Sequence, residues 1–392
     1  MKKGKFLRFL SEPKYISWIY ILVSVITALT KALKTPSGIN NYLIFKNVFF
    51  NTLKQRNLYL KYPSEYQDIN HYGVFFSAII APFAIMPDLL GVVLWNIANT
   101  IVFVYAARNL PFSEKTKAFF LWLCLQEFIT ASLHQQFNVA LTGLIILSAV
   151  YIYKNEETKS ALAIVIGFFV KIYGIAGLSS FFFVKNKKKF IISFLIFCVV
   201  SLVIPMLYSS PHFGIQSYVD WFVELKHKNL QNQRLGNMQD ISLMGFFRRV
   251  LDNSAIPNSL FFAFGLPFFF LPYLRINQYK NLNFRLLILS STLLFIVLFS
   301  SSSEPPTYII AVSGAIIWFL IQKNKTPFVI FLLVFLIVFT CFSTSDLFPK
   351  FIRQNFIKKY SIKALPCIII WIRINWELMT KDFDKKQLTE QL

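Results

Sequence analysis

Lys171 stands in the middle of an apolar stretch, residues 161–184, that is otherwise long enough to cross a membrane. An ionised side chain at that depth costs roughly 2.5–3.5 kcal/mol even on lenient insertion scales, so such a residue faces a partner or a water-filled cavity. Its ammonium calls for an anion. Other polar residues gather at turns between apolar segments: Asn40, Asn41, Glu65, Asp68 and His71 early in the chain, His134, Gln136 and Asn138 at one hairpin turn, and Asp240 and Glu304 later. Carboxylates placed this way can take a proton from a hydroxyl nucleophile. A lysine, a histidine and two amides can hold a phosphate through charge-assisted and neutral hydrogen bonds. Each residue also has a plainer reading. Lys171 can snorkel to the interface, Glu65 and Asp68 can be solvated surface acids, Gln136 and Asn138 can satisfy helix ends, and His134 can be structural.

The elements that must position these groups are membrane helices. Of the 392 residues, 56% are hydrophobic and 18% aromatic, and the mean hydropathy is +0.55, too apolar for a soluble chain of this length. The net charge of +22 could serve nucleic acid. The basic residues, however, are scattered through short loops rather than gathered in one patch with interleaved aromatics, so nucleic acid is not an expected partner. The positive-inside rule accounts for them, placing the N-terminus and the loops near 108–117, 154–159, 185–189, 275–285 and 323–325 in the cytoplasm. Residues 16–30 lack a small-x-small cleavage site after them and read as an uncleaved first span. Cys124, Cys198, Cys341 and Cys367 lie in apolar segments without metal-site or disulfide spacing. No Walker loop, dinucleotide glycine pattern or zinc-type spacing occurs, so any phosphate must be held by side chains and helix ends. No cofactor is expected.

Apolar runs predict spans near 15–32, 118–133, 137–153, 189–209, 258–274, 284–301, 307–322, 326–344 and 363–379. The expected fold class is all-α, a single polytopic membrane domain over residues 1–392 with roughly ten to thirteen membrane helices, some broken or re-entrant. Residues 72–108 exceed one span and contain Pro82 and Pro87, which suits a broken helix, with two full spans as the competing count. Residues 160–184 carry cytoplasmic-type charges at both ends, which predicts two half-helices meeting near Lys171 and a turn facing a cavity. The segment 33–71 contains an amphipathic piece, 41–56, with Leu43, Phe45, Phe49, Phe50 and Leu53, that either lies along the interface or packs on the bundle. Residues 210–257 form the largest expected outer loop. There Trp221, Phe222, Phe246 and Phe247 are expected as interface anchors, and Lys226, Lys228, Arg234, Arg248 and Arg249 as partners for an anionic headgroup. Loops 33–71 and 210–257 are expected to build the active site.

The run Ile39-Asn-Asn-Tyr-Leu-Ile-Phe-Lys46, followed by Asn57-Leu-Tyr59, Tyr62-Pro63, Asp68, Tyr72, Ala81-Pro-Phe83 and Leu94-Trp-Asn96, resembles the start of glycosyltransferase family 87. Gln136-Phe-Asn138, Phe169-Val-Lys171 and Ser303-Glu-Pro-Pro-Thr307 are similar to its later landmarks, so the resemblance runs along nearly the whole chain. It implies a GT-C fold and an inverting hexosyltransferase of the bacterial inner membrane, with its active site outward and its N-terminus cytoplasmic. Such an enzyme takes a sugar, typically mannose, from a polyprenyl-phosphate donor and passes it to a glycan or glycolipid acceptor. The acidic base the family places soon after the first span is replaced here by Asn40 and Asn41, and the proline after Tyr72 by Gly73 and Val74. The expected roles are Asp68, then Glu65, as base; Lys171, His134, Gln136 and Asn138 for the donor phosphate; and Asn40, Asn41, His71, Tyr72 and Glu304 for substrate. Two other classes compete. A transporter or lipid flippase would also use a broken helix with a buried charge, and an inactive envelope-glycan scaffold would explain the missing acid.

Overall fold

The computed structural model describes residues 11–236 and 239–383, and no strand occurs among them. Among the described residues, three helices are long and apolar enough to cross a membrane by themselves: α1 (Pro13–Lys34), α4 (Asp88–Asn109) and the run Lys187–Leu207, which opens with α8 (Lys187–Val203). Several shorter apolar helices accompany them. The chain divides into two compact units, one built from the chain up to Leu178 together with Val184–His227, the other from Ser179–Phe183 and the chain from Lys228 onward.

In the first unit, α2 (Asn40–Leu53) packs on α3 (Phe76–Ala84), α4 packs on α1 and on α6 (Asn138–Tyr153), and α5 (Glu114–Leu133) lies against α1. The amphipathic segment therefore packs on the bundle. Its buried face is Tyr42, Ile44, Phe45, Val48, Asn51 and Thr52, while Leu43, Phe49, Phe50 and Leu53 remain at least partly exposed. Of the expected apolar set only Phe45 is buried, because the helix also turns Asn51 and Thr52 inward. The stretch 72–108 is a broken helix. The nine residues of α3 rise only about 14 Å at 1.5 Å per residue, too short for a span. The chain then turns at 85–87, and Pro87 sets the start of α4, whose first-turn Asp88 pairs with Lys46 at 2.6 Å.

The stretch 160–184 is also broken where the loop charges require it. Helix α7 (Glu157–Val170) stops at Lys171, whose φ of −142° and ψ of 122° are extended, and the chain resumes as a 3₁₀ run, Ile172–Phe183. The two arms can fold together because glycines line their contact. A Cβ on Gly174 would overlap the backbone of Gly167 and Phe168, and one on Gly177 would press on Ile164 and Ser148. No side chain fits between the arms.

In the second unit, α12 (Leu282–Leu298), α13 (Tyr308–Ile321) and α15 (Leu365–Thr380) pack together, with α11 (Asn258–Phe270) and α14 (Pro327–Leu336) also present. Residues 210–257 are largely helical rather than an extended loop. Helix α9 (Pro211–Asn232) buries Trp221, which is 1% exposed, so Trp221 is a core residue and not an interface anchor; Phe222 and Phe247 are exposed. Arg248 and Arg249 on α10 (Leu243–Val250) are buried as well, so they do not form a surface for a headgroup. Arg248 Nη2 pairs with Asp240 Oδ2 at 2.6 Å, and its Nη1 donates to Ile256 O and Asn258 Oδ1. Arg249 donates to the Asp240 carbonyl and to Ser361 Oγ. Burial holds the Asp240 carboxyl above its usual range, against the lowering effect of Ser242 and the two arginines, and pushes Arg249 down. A pair that burial penalises in this way fixes geometry more than it adds stability.

The glycine contact yields a direct check. Gly174→Val should lower the melting temperature of the detergent-solubilised protein by an amount equivalent to about 1–3 kcal/mol, the usual cost of overpacking. Gly236→Ala, with nothing within 4 Å, should leave it unchanged.

Candidate active site

The hairpin turn between α5 and α6 is held from three directions. Gln135 adopts a left-handed backbone (φ 55°), unusual for a side chain of its size. Its carbonyl accepts from Trp95 Nε1 at 2.8 Å, and its own amide donates to Gly38 O. Asn96 reaches Ser132 O at 3.1 Å. The Leu94-Trp-Asn96 motif is thus the clamp on this turn. Around it, Phe45, Tyr72, Phe76, Trp95 and Phe137 form a cluster of stacked and edge-on rings with centroids 4.8–6.5 Å apart. Pairs of this kind contribute about 0.5–1.5 kcal/mol each beyond their burial.

On this support Lys171 Nζ donates to Asn138 Oδ1 at 2.8 Å, and Asn138 Nδ2 donates to Gln136 Oε1 at 2.8 Å. Lys171 also lies over the rings of Tyr173 (4.9 Å) and Tyr72 (5.8 Å). The expected trio of Lys171, Gln136 and Asn138 is therefore one hydrogen-bonded chain. Asn138 opens α6, where first-turn N–H groups favour anions. Tyr72 joins them: its hydroxyl accepts from Phe137 N at 3.1 Å, and its carbonyl accepts from Tyr59 Oη and Asn70 Nδ2. Gly73 N donates to Val170 O at 3.2 Å, and a Cβ at Gly73 would strike the Phe169 carbonyl. Gly73 thus locks this loop to the break at Lys171, which a proline there could not do, since it has no N–H to donate.

The other expected residues take separate places. His134 has an exposed side chain, and its carbonyl accepts from Asn41 Nδ2 at 2.8 Å. Asn40 Oδ1 accepts from Gln67 N at 2.8 Å. Both asparagines are thus fasteners, Asn40 of the 54–75 loop and Asn41 of the hairpin turn. Glu65 pairs with Arg56 at 2.7 Å, and the guanidinium lies over Tyr62. Asp68 is exposed, with Oδ1 accepting from Ile69 N. Glu304 belongs to the second unit, at the turn before α13, where its N–H donates to Thr307 Oγ1 at 3.3 Å.

Two carboxylates escaped sequence reasoning. Glu224, nearly buried on α9, lies 3.3 Å from His71 Nδ1 and 3.8 Å from His227 Nδ1. Neither ring nitrogen of His71 makes a hydrogen bond with the described protein. Trp221 Nε1 holds the His71 carbonyl at 2.9 Å. Asp220 binds Asn57 Nδ2 at 3.0 Å and Gln216. The residues 54–72 therefore rest on α9. The available signal was the i, i+4 spacing of Gln216, Asp220 and Glu224, which puts them on one helix face.

The sequence profile of glycosyltransferase family 87 matches residues 70–301, more than half of the chain. The chain belongs to glycosyltransferase family 87. Membership in family 87 implies a membrane glycosyltransferase, in keeping with the apolar helices. The family 87 match takes in Tyr72, the Trp95 clamp, the Gln136–Asn138 turn and Lys171, while Asn40, Asn41, Glu65, Asp68 and Glu304 lie outside it. No curated protein and no solved structure matches the chain.

Because Asn41 acts through an N–H donor, Asn41→Asp would set a carboxylate against the His134 carbonyl. Thermal unfolding should show a loss of about 0.5–1.5 kcal/mol, the usual net worth of one hydrogen bond at a solvent-accessible turn. Equal stability of the two proteins would show that the amide does not hold the turn.

Proposed function

We propose that the protein transfers a hexose, most simply mannose, from a polyprenyl-phosphate donor to a glycan or glycolipid acceptor at the outer face of the inner membrane. The observation that carries this reading is the Lys171–Asn138–Gln136 chain at a helix break inside an apolar stretch. Lys171 is the cation of this chain, and an ammonium makes charge-assisted hydrogen bonds to phosphate. The start of α6 adds its partial positive charge, and His134 extends the donor set at the same turn.

The reaction is an inverting single displacement. The acceptor hydroxyl oxygen attacks the anomeric carbon, the bond from that carbon to the phosphate oxygen breaks, and polyprenyl phosphate departs with the electron pair. The departing oxygen needs no proton when Lys171 balances its charge. The hydroxyl proton passes to a carboxylate, for which Asp68 is the first choice. Glu65 is committed to Arg56, whereas Asp68 is exposed and engaged through one oxygen to its neighbour's N–H. Asn40 and Asn41 hold the loop and the turn in place, and His71 and Tyr72 are the proposed sugar and acceptor contacts. Of the competing classes, the flippase would move lipid without breaking the glycosyl bond.

Membranes containing the protein should transfer labelled mannose from a synthetic prenyl-phosphate-mannose to an envelope glycolipid fraction. Lys171→Ala should lower kcat/KM by about 10²–10³, as for loss of one oxyanion donor. Asp68→Asn should lower kcat by about 10²–10⁴ with little change in KM. Turnover unchanged by Lys171→Ala would remove its assigned role, and counterflow of intact donor without sugar transfer would favour the flippase.

A further inference from the structure

A groove of about 730 Å³ runs between α1 and α4, away from the Lys171 turn. Trp18 on α1 and Ile97, Ile101 and Tyr105 on α4 wall it, and Lys14 and Arg108 stand at one end. The spacing makes this a built surface rather than a chance dent. Lys14 and Trp18 are i, i+4 on α1, Ile97, Ile101 and Tyr105 repeat at i+4 on α4, and Arg108 follows Tyr105 by three, so each helix presents one face. Trp18 is 66% exposed and Tyr105 50% exposed, beside the two cations, which is the usual setting of aromatic residues at headgroup level. Lys154 Nζ binds Asn109 Oδ1 at 2.7 Å and brings a third positive charge to the same end. Neither Lys14 nor Arg108 has a carboxylate partner among the described residues, and both are exposed.

We propose that this groove binds one anionic phospholipid, its phosphate between Lys14 and Arg108 and one acyl chain along Ile97 and Ile101. The dimensions select the occupant. From Ile97 to Arg108 the helix rises about 16 Å at 1.5 Å per residue. That is close to half of the roughly 30 Å hydrocarbon core, the depth of a single leaflet. A phospholipid chain fills that length, whereas a polyprenyl chain overruns it. The charge selects the headgroup, since each basic side chain near an anionic surface favours it by roughly fivefold. The site is independent of Lys171 and of sugar transfer.

The test is quenching of tryptophan fluorescence in bilayers, using the full-length protein and dibrominated phosphatidylglycerol or dibrominated phosphatidylcholine at equal mole fraction. The Trp18 contribution is obtained as the difference between wild type and Trp18→Phe. Phosphatidylglycerol should quench that component with roughly 25-fold higher relative affinity, about fivefold for each of the two cations. The double variant Lys14→Gln/Arg108→Gln should bring the two lipids to parity with its helical circular dichroism unchanged. Equal quenching by both lipids in the wild type would overturn the proposal, as would a preference that survives the double substitution. No quenching by either lipid would assign the groove to a protein partner. Displacement of phosphatidylglycerol by an equimolar polyprenyl phosphate would reassign it to the donor lipid.

Discussion

The structure of the site depends on one constraint: the ammonium of Lys171 lies within an apolar stretch and must be satisfied there. The chain meets this by ending a helix at Val170, extending the backbone at Lys171 and returning as a 3₁₀ run, so that the charge sits at the tip of a hairpin. Two further features make the tip possible. The glycines of the two arms allow backbone to touch backbone, and Asn138 Oδ1 accepts a hydrogen bond from the lysine ammonium.

What surrounds the tip is organised to keep it in register. The aromatic cluster of Phe45, Tyr72, Phe76, Trp95 and Phe137 links the α5–α6 turn to the loop that carries Asn70 and Tyr72, and Gly73 fastens that loop to Val170. The same loop leans on α9 through Trp221 and Glu224. A rigid cradle of this kind suits an anion that must be held while charge develops on it, which is what a departing lipid phosphate requires. Membership in glycosyltransferase family 87 is consistent with that use.

Much of this was legible in the residues. The break at Lys171 follows from basic loops on both sides of one apolar stretch, and the turn at 134–138 follows from five polar or aromatic residues between two apolar runs. The all-helical character of the described residues needed only composition and run length. Other features were not legible because they depend on contacts distant in sequence. Residues 210–232 are charged enough to read as a loop, yet they form a helix that buries Trp221 against residues 150 positions earlier. Arg248 and Arg249 look like a surface basic patch until Asp240 is seen between them. The part played by Asn40 and Asn41 is likewise visible only in their partners, Gln67 N and the His134 carbonyl.

The central claim is that the Lys171 cradle opens to the outer face and receives a lipid phosphate. Gln136, hydrogen-bonded to Asn138 and partly exposed, reports on both parts of it. In a background with Cys124, Cys198, Cys341 and Cys367 replaced by serine or alanine, Gln136→Cys can be treated with a membrane-impermeant maleimide in intact cells and in inverted vesicles. The account predicts labelling in intact cells, slowed severalfold by a prenyl-phosphate sugar. Labelling confined to inverted vesicles, or a rate indifferent to the prenyl phosphate, would contradict it.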